Sequence, residues 1–428
     1  MLDESAQLDQ KDELAGYRYE FYVLHDTIYL DGNSLGLMSR PAEAAVLRVL
    51  DEWRRLAVGG WANQSATPPW FFLAEELGRS MAPLVGACSD EVIITNSTTV
   101  NLHQLLYTLI DCPDSDEAQR AILTDSLIFP SDRYAIESYI NTYNVARGSK
   151  AFTHKTIPPR KNGLLNDEDL IAGMTPDVTA VLLPSVVYTT GQLLDIEKLA
   201  SEARKRGLLF GLDLSHSIGA IPHRLNEWGV DFAFWCGYKY LNGGPGATGG
   251  LYINRRHFGR KAGLAGWFGS NKQVQLSMPD ALQPADGAGA LQIGTPNILS
   301  MAPLSGTLQT ILAAGIDRIR MRSLLQTKYM MSLIQTYLQS TDLQLLTPLE
   351  DYRRGGHVAI AHPEAMRICK ALKARGIVPD FRTPNIVRLC PAPLYTSFTE
   401  CRVAIETLTE IVHARAWESI SRETPIVP

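Results

Sequence analysis

Residues 208–253 constrain the fold of this chain more than any other stretch, because they contain two apolar segments that each lead to a charged residue. Residues 208–212 read as a buried strand that is followed by Asp213. Residues 230–236 read as a second strand, and Lys239 follows it, 26 residues after Asp213. Because an open α/β sheet binds its ligand at the carboxyl ends of its strands, we expect the acid and the amine to face one ligand.

This pair of charges has a specific chemical use. A lysine that binds pyridoxal phosphate works with a distant acid, which keeps the pyridine nitrogen protonated so that the ring accepts electrons. The alternative is that Asp213 caps the next helix and that Lys239 is a solvated strand end. The aromatic residues Phe234, Trp235 and Tyr240 near Lys239 indicate an enclosed site and favour the cofactor interpretation.

Strand, polar tip and helix recur along much of the chain. Residues 90–95, 121–129 and 180–183 read as strands, and polar residues and a helix follow each of them. This alternation predicts an α/β fold in which a large domain has a mostly parallel sheet flanked by helices. A smaller α+β domain is predicted from the strands and helices that alternate near the C-terminus.

The predicted domain bounds follow from this pattern. We predict a large cofactor-binding domain at residues 56–305 and a small C-terminal α+β domain at residues 306–428. Residues 1–55 are predicted to pack with the small domain. The apolar spacing of residues 304–338 predicts one long helix that links the two domains.

Composition and charge exclude several classes of protein. A formal net charge of −5 disfavours a nucleic-acid surface. No apolar run approaches the roughly 20 residues of a membrane helix, and the acidic, polar N-terminus resembles no signal peptide, so we expect a cytoplasmic protein. The scattered cysteines form no metal-ligand spacing, so we expect reduced thiols and no metal site. They are Cys88, Cys112, Cys236, Cys369, Cys390 and Cys401.

Two glycine-containing motifs match known functional patterns by letter but not in their structural context. Residues 32–36 fit the G-x-S-x-G elbow of α/β hydrolases around Ser34, but the next helix begins only near Pro41, whereas an elbow turns directly into its helix. Residues 244–249 fit G-x-G-x-x-G by letter, yet they lead into a strand, whereas a dinucleotide fingerprint opens a helix.

A phosphate site is predicted where residues 96–99 (NSTT) precede a helix. Free N–H groups and hydroxyls at a helix start bind anions. An ordinary helix cap is the alternative, and the phosphate interpretation depends on the cofactor lysine proposed above.

Several motifs together resemble the kynureninase family, within the class V aminotransferase group of fold-type-I pyridoxal-phosphate enzymes. They span nearly the whole chain, and their combination is far more specific than the lysine alone. These motifs are residues 31–36 (DGNSLG), 96–103 (NSTTVNLH), 129–132 (FPSD), 190–192 (TGQ), 213–216 (DLSH), 228–233 (WGVDFA), 238–242 (YKYLN), 266–269 (GWFG) and 391–398 (PAPLYTSF).

The resemblance assigns cofactor roles to residues of this chain. It implies that Lys239 carries pyridoxal 5'-phosphate and acts in catalysis together with Tyr238. It also implies that Asp213 pairs with the pyridine nitrogen and that Phe129 stacks on the ring. The other cofactor-binding residues that it implies are Thr98, Thr99, Pro130, Ser131, Asp132, His216, Trp267 and Thr295.

The resemblance further implies a homodimer with shared active sites, in which Trp267 and Thr295 reach the phosphate region of the partner subunit. Arg388 is implied to bind the substrate carboxylate through a bidentate pair. The complete set of implied substrate-binding residues is Asn33, Ser34, Trp61, His216 and Arg388.

The implied activity is cleavage of L-kynurenine by water to anthranilate and L-alanine, a reaction of tryptophan catabolism and of NAD biosynthesis. Family members that select 3-hydroxykynurenine carry a His and an Asn where this chain has Trp61 and Thr295. We therefore expect a preference for kynurenine. Pro184 stands where some members have a serine, so the serine's side-chain contact with the cofactor is not carried over to this position.

Two other functions are alternatives to kynurenine cleavage. A cysteine desulfurase-like lyase needs a reactive cysteine on a loop of the small domain, but Cys369, Cys390 and Cys401 read as helix or strand residues. A non-catalytic protein that has kept the fold is disfavoured because Lys239 and Asp213 are both present.

Overall fold

The structure is a computed structural model that describes residues 3–62, 65–66, 68–111, 120–148, 150, 152–161, 163–339 and 341–423. Cys112 therefore lies outside the described residues. The strands are β1 (Ile28–Tyr29), β2 (Val92–Ile94), β3 (Arg120–Asp125), β4 (Phe152–Ile157), β5 (Val178–Pro184), β6 (Leu209–Asp213), β7 (Phe232–Trp235), β8 (Gly250–Ile253), β9 (Gln344–Leu345), β10 (Val358–Ala361), β11 (Ile377–Val378), β12 (Asp380–Arg382) and β13 (Ile386–Leu389). The α-helices are α1 (Glu4–Gln10), α2 (Arg40–Leu56), α3 (Leu73–Val85), α4 (Thr98–Leu109), α5 (Pro130–Arg147), α6 (Asp167–Gly173), α7 (Ile196–Lys205), α8 (Leu225–Trp228), α9 (Ile298–Ala314), α10 (Ile316–Tyr337), α11 (Ala365–Ala374) and α12 (Phe398–His413).

A seven-stranded sheet organises the larger part of the described chain, in the order β2-β8-β7-β6-β5-β3-β4. The pairs from β4 through β3, β5 and β6 to β7 are parallel, whereas β8 is antiparallel to both β7 and β2. Helices α3, α4, α5 and α7 pack against these strands or against one another. The predicted fold, a mostly parallel sheet flanked by helices, is therefore confirmed.

The central strands are apolar because the sheet is covered on both faces. Every residue of β7 is buried, and so is every residue of β6 except its first. Strands buried on both faces are typical of parallel sheets and lack an alternation of polar residues. Gly211 allows a close approach inside this core, since a Cβ atom there would overlap the ring of Phe232.

A second, antiparallel sheet has the order β12-β13-β10-β9 and lies in the C-terminal part of the chain. It has a hydrophobic core of its own with α10, α11 and α12. Strand β1 pairs in parallel with β11, and the Asp9 carboxylate accepts hydrogen bonds from the backbone N–H groups of Phe398 and Thr399. The N-terminal segment thus contacts the C-terminal part, while the domain bounds given above stay a prediction.

The helix predicted at residues 304–338 is wrong as one continuous element. Helix α9 ends at Ala314, and α10 begins at Ile316 after a bend of 78°. Gly315 between them has a φ of 80°, a conformation that glycine adopts without steric cost. No single helix of the described residues is long and apolar enough to cross a membrane, and only the bent pair of α9 and α10 reaches that length and hydropathy.

Candidate active site

The strand ends of the large sheet surround a cavity of about 180 Å³. Asp213 is the last residue of β6, Pro184 is the last residue of β5, and Lys239 follows β7. Strand β3 ends at Asp125, four residues before the predicted Phe129, and a short loop leads from it to α5. The cavity is lined by Ser97, Thr98, Thr99, Phe129, Ser131, Asp132, Pro184, Val186, Tyr188, Asp213, Ser215, His216, Tyr238 and Lys239.

Lys239 is held by a histidine and lies near an aromatic ring. Its Nζ atom lies 2.9 Å from Nε2 of His216 and 5.7 Å from the centre of the Phe129 ring. Burial lowers the pKa of His216 well below its ordinary value, and the positive charge of Lys239 lowers it further. His216 is therefore neutral at neutral pH, and its ring can accept a hydrogen bond from the lysine.

Two acids lie side by side at the base of the cavity. The Asp213 carboxylate accepts a hydrogen bond of 2.8 Å from the backbone N–H of Ser215. Burial raises the pKa of Asp132 well above its ordinary value, and the adjacent negative charge of Asp213 raises it further. Oδ2 of Asp132 is buried and has no hydrogen-bond partner within the described residues. The arrangement leaves acid oxygens available to a ring nitrogen in the cavity.

Hydroxyl groups gather where two helices begin. Helix α4 begins at Thr98, and its N-cap residue Ser97 makes no side-chain capping bond. Helix α5 begins at Pro130, and the hydroxyls of Thr99 and Ser131 lie 2.7 Å apart at these two helix starts. Helix N-termini with free N–H groups attract anions, so this end of the cavity suits a phosphate group.

Phe129 presents an apolar face to the same cavity. Its side chain remains 39% exposed although it follows a buried strand region. Its ring meets that of Tyr188 edge to face, with the centres 5.3 Å apart. An amine, an acid, an anion-binding end and a partly exposed aromatic face thus surround one small cavity, and pyridoxal phosphate has the complementary groups.

The three predicted substrate-binding residues Asn33, Ser34 and Arg388 do not line this cavity, but Arg388 contacts Tyr188, which does. Arg388 is fully buried, forms an ion pair with Asp380, and donates a hydrogen bond of 2.7 Å to the carbonyl of Tyr188. Its Nη2 atom also lies 3.3 Å from the Ser34 hydroxyl. The side chain of Asn33 is buried, and neither polar atom has a hydrogen-bond partner in the described part of the chain.

Trp61, Trp267 and Thr295 lie away from Lys239, around a separate apolar cavity of about 630 Å³. Trp267 is 46% exposed, and its ring contacts Phe268 edge to face at 5.5 Å. The structure therefore does not bring these three residues to the Lys239 cavity of the same chain.

Several residues near the site are not predicted from the sequence. Tyr188 lines the cavity, and the His357 ring lies 5.9 Å from that of His216. Asp380 and Arg382 belong to β12, beside Arg388 on β13. The alternation Asp-x-Arg is the sequence signal that would place both charges on one face, had a strand been predicted there.

No metal site is found, since the described residues contain no group of three or more His, Cys, Asp and Glu side chains that could hold an ion. The described cysteines are free thiols. Burial raises the pKa of Cys369, Cys390 and Cys401, so these thiols are poor nucleophiles.

The chain is similar to known proteins both in the sequence of its C-terminal part and in its fold. Residues 319–408 match the model of the kynureninase C-terminal domain. Solved structures with a similar fold include a cysteine desulfurase from Thermococcus onnurineus NA1, with a TM-score of 0.77, 19% identity, and coverage of 93% of this chain and 98% of that one. The cystine C-S lyase C-DES, in complex with cysteine persulfide, also has a TM-score of 0.77, at 17% identity over 90% of this chain and 98% of that one. At these identities the likeness concerns the fold alone.

Curated relatives are much more similar in sequence and match over nearly their full length. Kynureninase of Geobacillus thermodenitrificans (strain NG80-2) is 48% identical over 427 residues, which cover 100% of this chain and 98% of the relative. Kynureninase of Shouchella clausii (strain KSM-K16) is 49% identical over 422 residues, covering 98% and 96%. With this identity along its whole length, and with a lysine, paired acids and an anion site around one cavity, the chain belongs to the kynureninase family.

Proposed function

We propose that this protein is a pyridoxal-phosphate-dependent hydrolase that cleaves L-kynurenine with water to anthranilate and L-alanine. Membership of the kynureninase family supports this proposal. The observation that carries it is the convergence of Lys239, Asp213 and Phe129 on one cavity beside the anion-binding starts of α4 and α5.

We propose that Lys239 holds the cofactor, that Asp213 faces its ring nitrogen, and that Phe129 covers one face of its ring. When bound, the cofactor accepts the electron pair that is released as bonds to the substrate carbons break. The phosphate is assigned to the two helix starts. Thr98, Thr99, Tyr238 and Ser131 or Asp132 would contact the phosphate and the ring substituents, and Pro130 would also contact the cofactor. Residues 56–305 would form the cofactor-binding domain, and residues 306–428 with 1–55 the small domain.

The proton transfers are assigned to this chain's own residues. Lys239, freed as an amine, takes the proton from the substrate α-carbon and returns it later. Tyr238 is proposed as the acid and base near the carbonyl to which water adds. Burial raises the pKa of Tyr238, so its hydroxyl keeps its proton until a step requires it. His216 receives a hydrogen bond from Lys239 and so directs the lysine toward the cavity.

We propose that the substrate site has two ends. A polar end binds the amino-acid group of the substrate, and an aryl end binds its aromatic ring. We propose that Asn33, Ser34 and Arg388 bind the amino-acid end, for which the buried guanidinium of Arg388 supplies a bidentate partner. Trp61 and Thr295 are proposed at the aryl end. Neither offers a basic partner for a ring hydroxyl, which supports a preference for kynurenine over 3-hydroxykynurenine.

The aryl end is assigned to a second copy of the chain, and the position of Trp61, Trp267 and Thr295 away from the Lys239 cavity of their own chain supports this assignment. We propose a homodimer in which each subunit supplies Trp267 and Thr295 to its partner's site. We also propose a cytoplasmic location and a role in tryptophan catabolism.

The proposal is tested by absorption and by product release. Purified protein with added pyridoxal phosphate is expected to absorb near ~420 nm and to release fluorescent anthranilate from kynurenine. Lys239→Ala is expected to lose both the band and the product, while the exposed-lysine control Lys261→Ala keeps both. A band without anthranilate would contradict the assigned substrate, and no band in the wild type would contradict the cofactor.

The alternative of a cysteine desulfurase-like lyase is disfavoured. That chemistry needs an accessible thiolate, whereas Cys369, Cys390 and Cys401 are buried. Release of sulfide from cysteine, in place of anthranilate from kynurenine, is the result that would favour it.

A further inference from the structure

Two arginines contact one serine near Tyr188, a residue that lines the Lys239 cavity. Nη2 of Arg382 lies 3.2 Å from the Ser34 hydroxyl, and Nη2 of Arg388 lies 3.3 Å from the same oxygen. A single hydroxyl oxygen satisfies only one or two of the five N–H donors on each guanidinium. Arg388 also donates to Asp380 and to the carbonyl of Tyr188, so few of its donors stay available. For Nη1 of Arg382 no hydrogen bond is found in the described part of the chain, so Arg382 keeps donors for a further acceptor, such as a carboxylate.

The register of the small sheet produces this convergence. Asp380 and Arg382 are two residues apart on β12, so their side chains lie on one face. Asp380 stands directly opposite Arg388 on β13. Its carboxylate forms an ion pair with Arg388 and lies 3.1 Å from Nε of Arg382. One carboxylate therefore holds both guanidiniums in place.

The two arginines differ in accessibility. The Arg388 side chain is 0% exposed, whereas that of Arg382 is 29% exposed. Arg388 donates a hydrogen bond of 2.7 Å to the carbonyl of Tyr188, which lines the cavity. Arg382 lies beside Arg388, since both contact Ser34 and Asp380. Arg382 is thus the member of the pair that an incoming anion meets first.

Asp31 completes the charge balance of the cluster. Its backbone carbonyl accepts a hydrogen bond of 3.0 Å from the backbone N–H of Ser34. Burial raises the pKa of its carboxyl to about 6, and the negative charge of Asp380 contributes further. An acid with this pKa takes up a proton more readily than an ordinary aspartate when a second anion approaches. The cluster is therefore able to accept one additional carboxylate without a surplus of negative charge.

We propose that Arg382 is a second substrate-binding residue, whose guanidinium binds the substrate α-carboxylate together with that of Arg388. The inference rests on the proposed function, because it concerns the amino-acid end of the same substrate. Two guanidiniums fixed by one aspartate select an amino acid over the corresponding amine, and a single buried arginine selects less strongly.

The experiment compares two unreactive probes on the cofactor-loaded enzyme, L-phenylalanine and 2-phenylethylamine, which differ only in the carboxylate. Binding is followed by the change in the cofactor absorption band. Arg382→Gln is expected to raise the Kd of L-phenylalanine by about tenfold to a hundredfold and to leave that of 2-phenylethylamine within about twofold. Arg382→Lys keeps the charge and is expected to retain more of the preference.

Arg375→Gln is the matched control, since Arg375 is a surface residue of the same region that pairs with Glu410 at 3.0 Å. It is expected to leave both Kd values unchanged. Equal weakening of the two probes by Arg382→Gln would show a structural role and overturn the inference, and so would no change in either. Anthranilate release is assayed separately on the wild type, so failure of the proposed function is distinguished from failure of this inference.

Discussion

Nζ of Lys239 lies 2.9 Å from Nε2 of His216, and the histidine ring is buried. Because burial and the lysine's charge both lower the pKa of His216, the ring is a neutral acceptor that orients the amine. The ring of His357 lies 5.9 Å away, and its pKa is lowered well below the ordinary value, chiefly by burial. The lysine therefore contacts a neutral imidazole, and a second neutral imidazole lies next to that ring.

Replacing His216 by Leu is expected to lower kcat/KM by about tenfold to a hundredfold, because Lys239 loses the acceptor that orients it. The pH profile of kcat/KM is expected to keep its acid limb, since a histidine with so low a pKa does not titrate between about pH 6 and 8. Steady-state kinetics from pH 5.5 to 9 measure both the value of kcat/KM and its pH profile. The control His25→Leu changes an exposed histidine, and disappearance of the acid limb only in His216→Leu would refute the neutral state.

Asp125 is expected to make stability fall as the pH rises. Burial raises the pKa of this carboxyl to about 7. An acid whose folded-state pKa exceeds its unfolded value stabilises the fold at low pH, and that contribution is lost as the pH rises through the folded pKa. Relative to Asp125→Asn, the wild type should lose up to about 4 kcal/mol of unfolding free energy between about pH 4 and 8.

Denaturant unfolding at both pH values, with the cofactor at one saturating concentration, measures this difference. Asp280→Asn is the control, because Asp280 is exposed. A difference between wild type and Asp125→Asn that stays constant with pH would show that the buried acid does not titrate in this range.

Phe129→Leu is expected to weaken retention of pyridoxal phosphate by about threefold to tenfold, because an aliphatic side chain removes the aromatic stacking surface. Loss of the absorption band on dialysis measures the release. Tyr134→Leu changes an exposed aromatic residue on α5, the helix that follows Phe129, and is expected to release the cofactor at the wild-type rate. If both variants released pyridoxal phosphate at the same rate, the stacking role of Phe129 would be refuted.

Subunit mixing is expected to reveal a shared active site. Lys239→Ala and Trp267→Ala should each be nearly inactive alone. If Trp267 serves the partner's site, then a mixed dimer has one intact site, and random mixing should restore about a quarter of wild-type activity. Anthranilate release after co-refolding measures this, with each variant refolded alone as the control. No recovery in a mixture shown to contain mixed dimers would mean that Trp267 acts within its own chain.

Local patterns in the sequence were sufficient for the fold class and for the family. The apolar segments before Asp213 and Lys239 predict strand ends because burial on both faces demands continuous apolar residues. Since parallel strands place their carboxyl ends at one edge, the sequence also predicts that these two charges face one cavity. The hydroxyls of Thr98 and Thr99 at a helix start identify the anion-binding end by the same local reasoning.

Only the tertiary structure decided which distant elements meet. The apolar spacing does not predict the break at Gly315, because the same spacing continues on both sides of this single glycine. The cluster of Asp380, Arg382 and Arg388 depends on the register of β12 against β13, and the separation of Trp267 from Lys239 depends on how loops pack over the sheet. Local propensity describes the direction of a side chain within its element, whereas pairing register and packing select its neighbours.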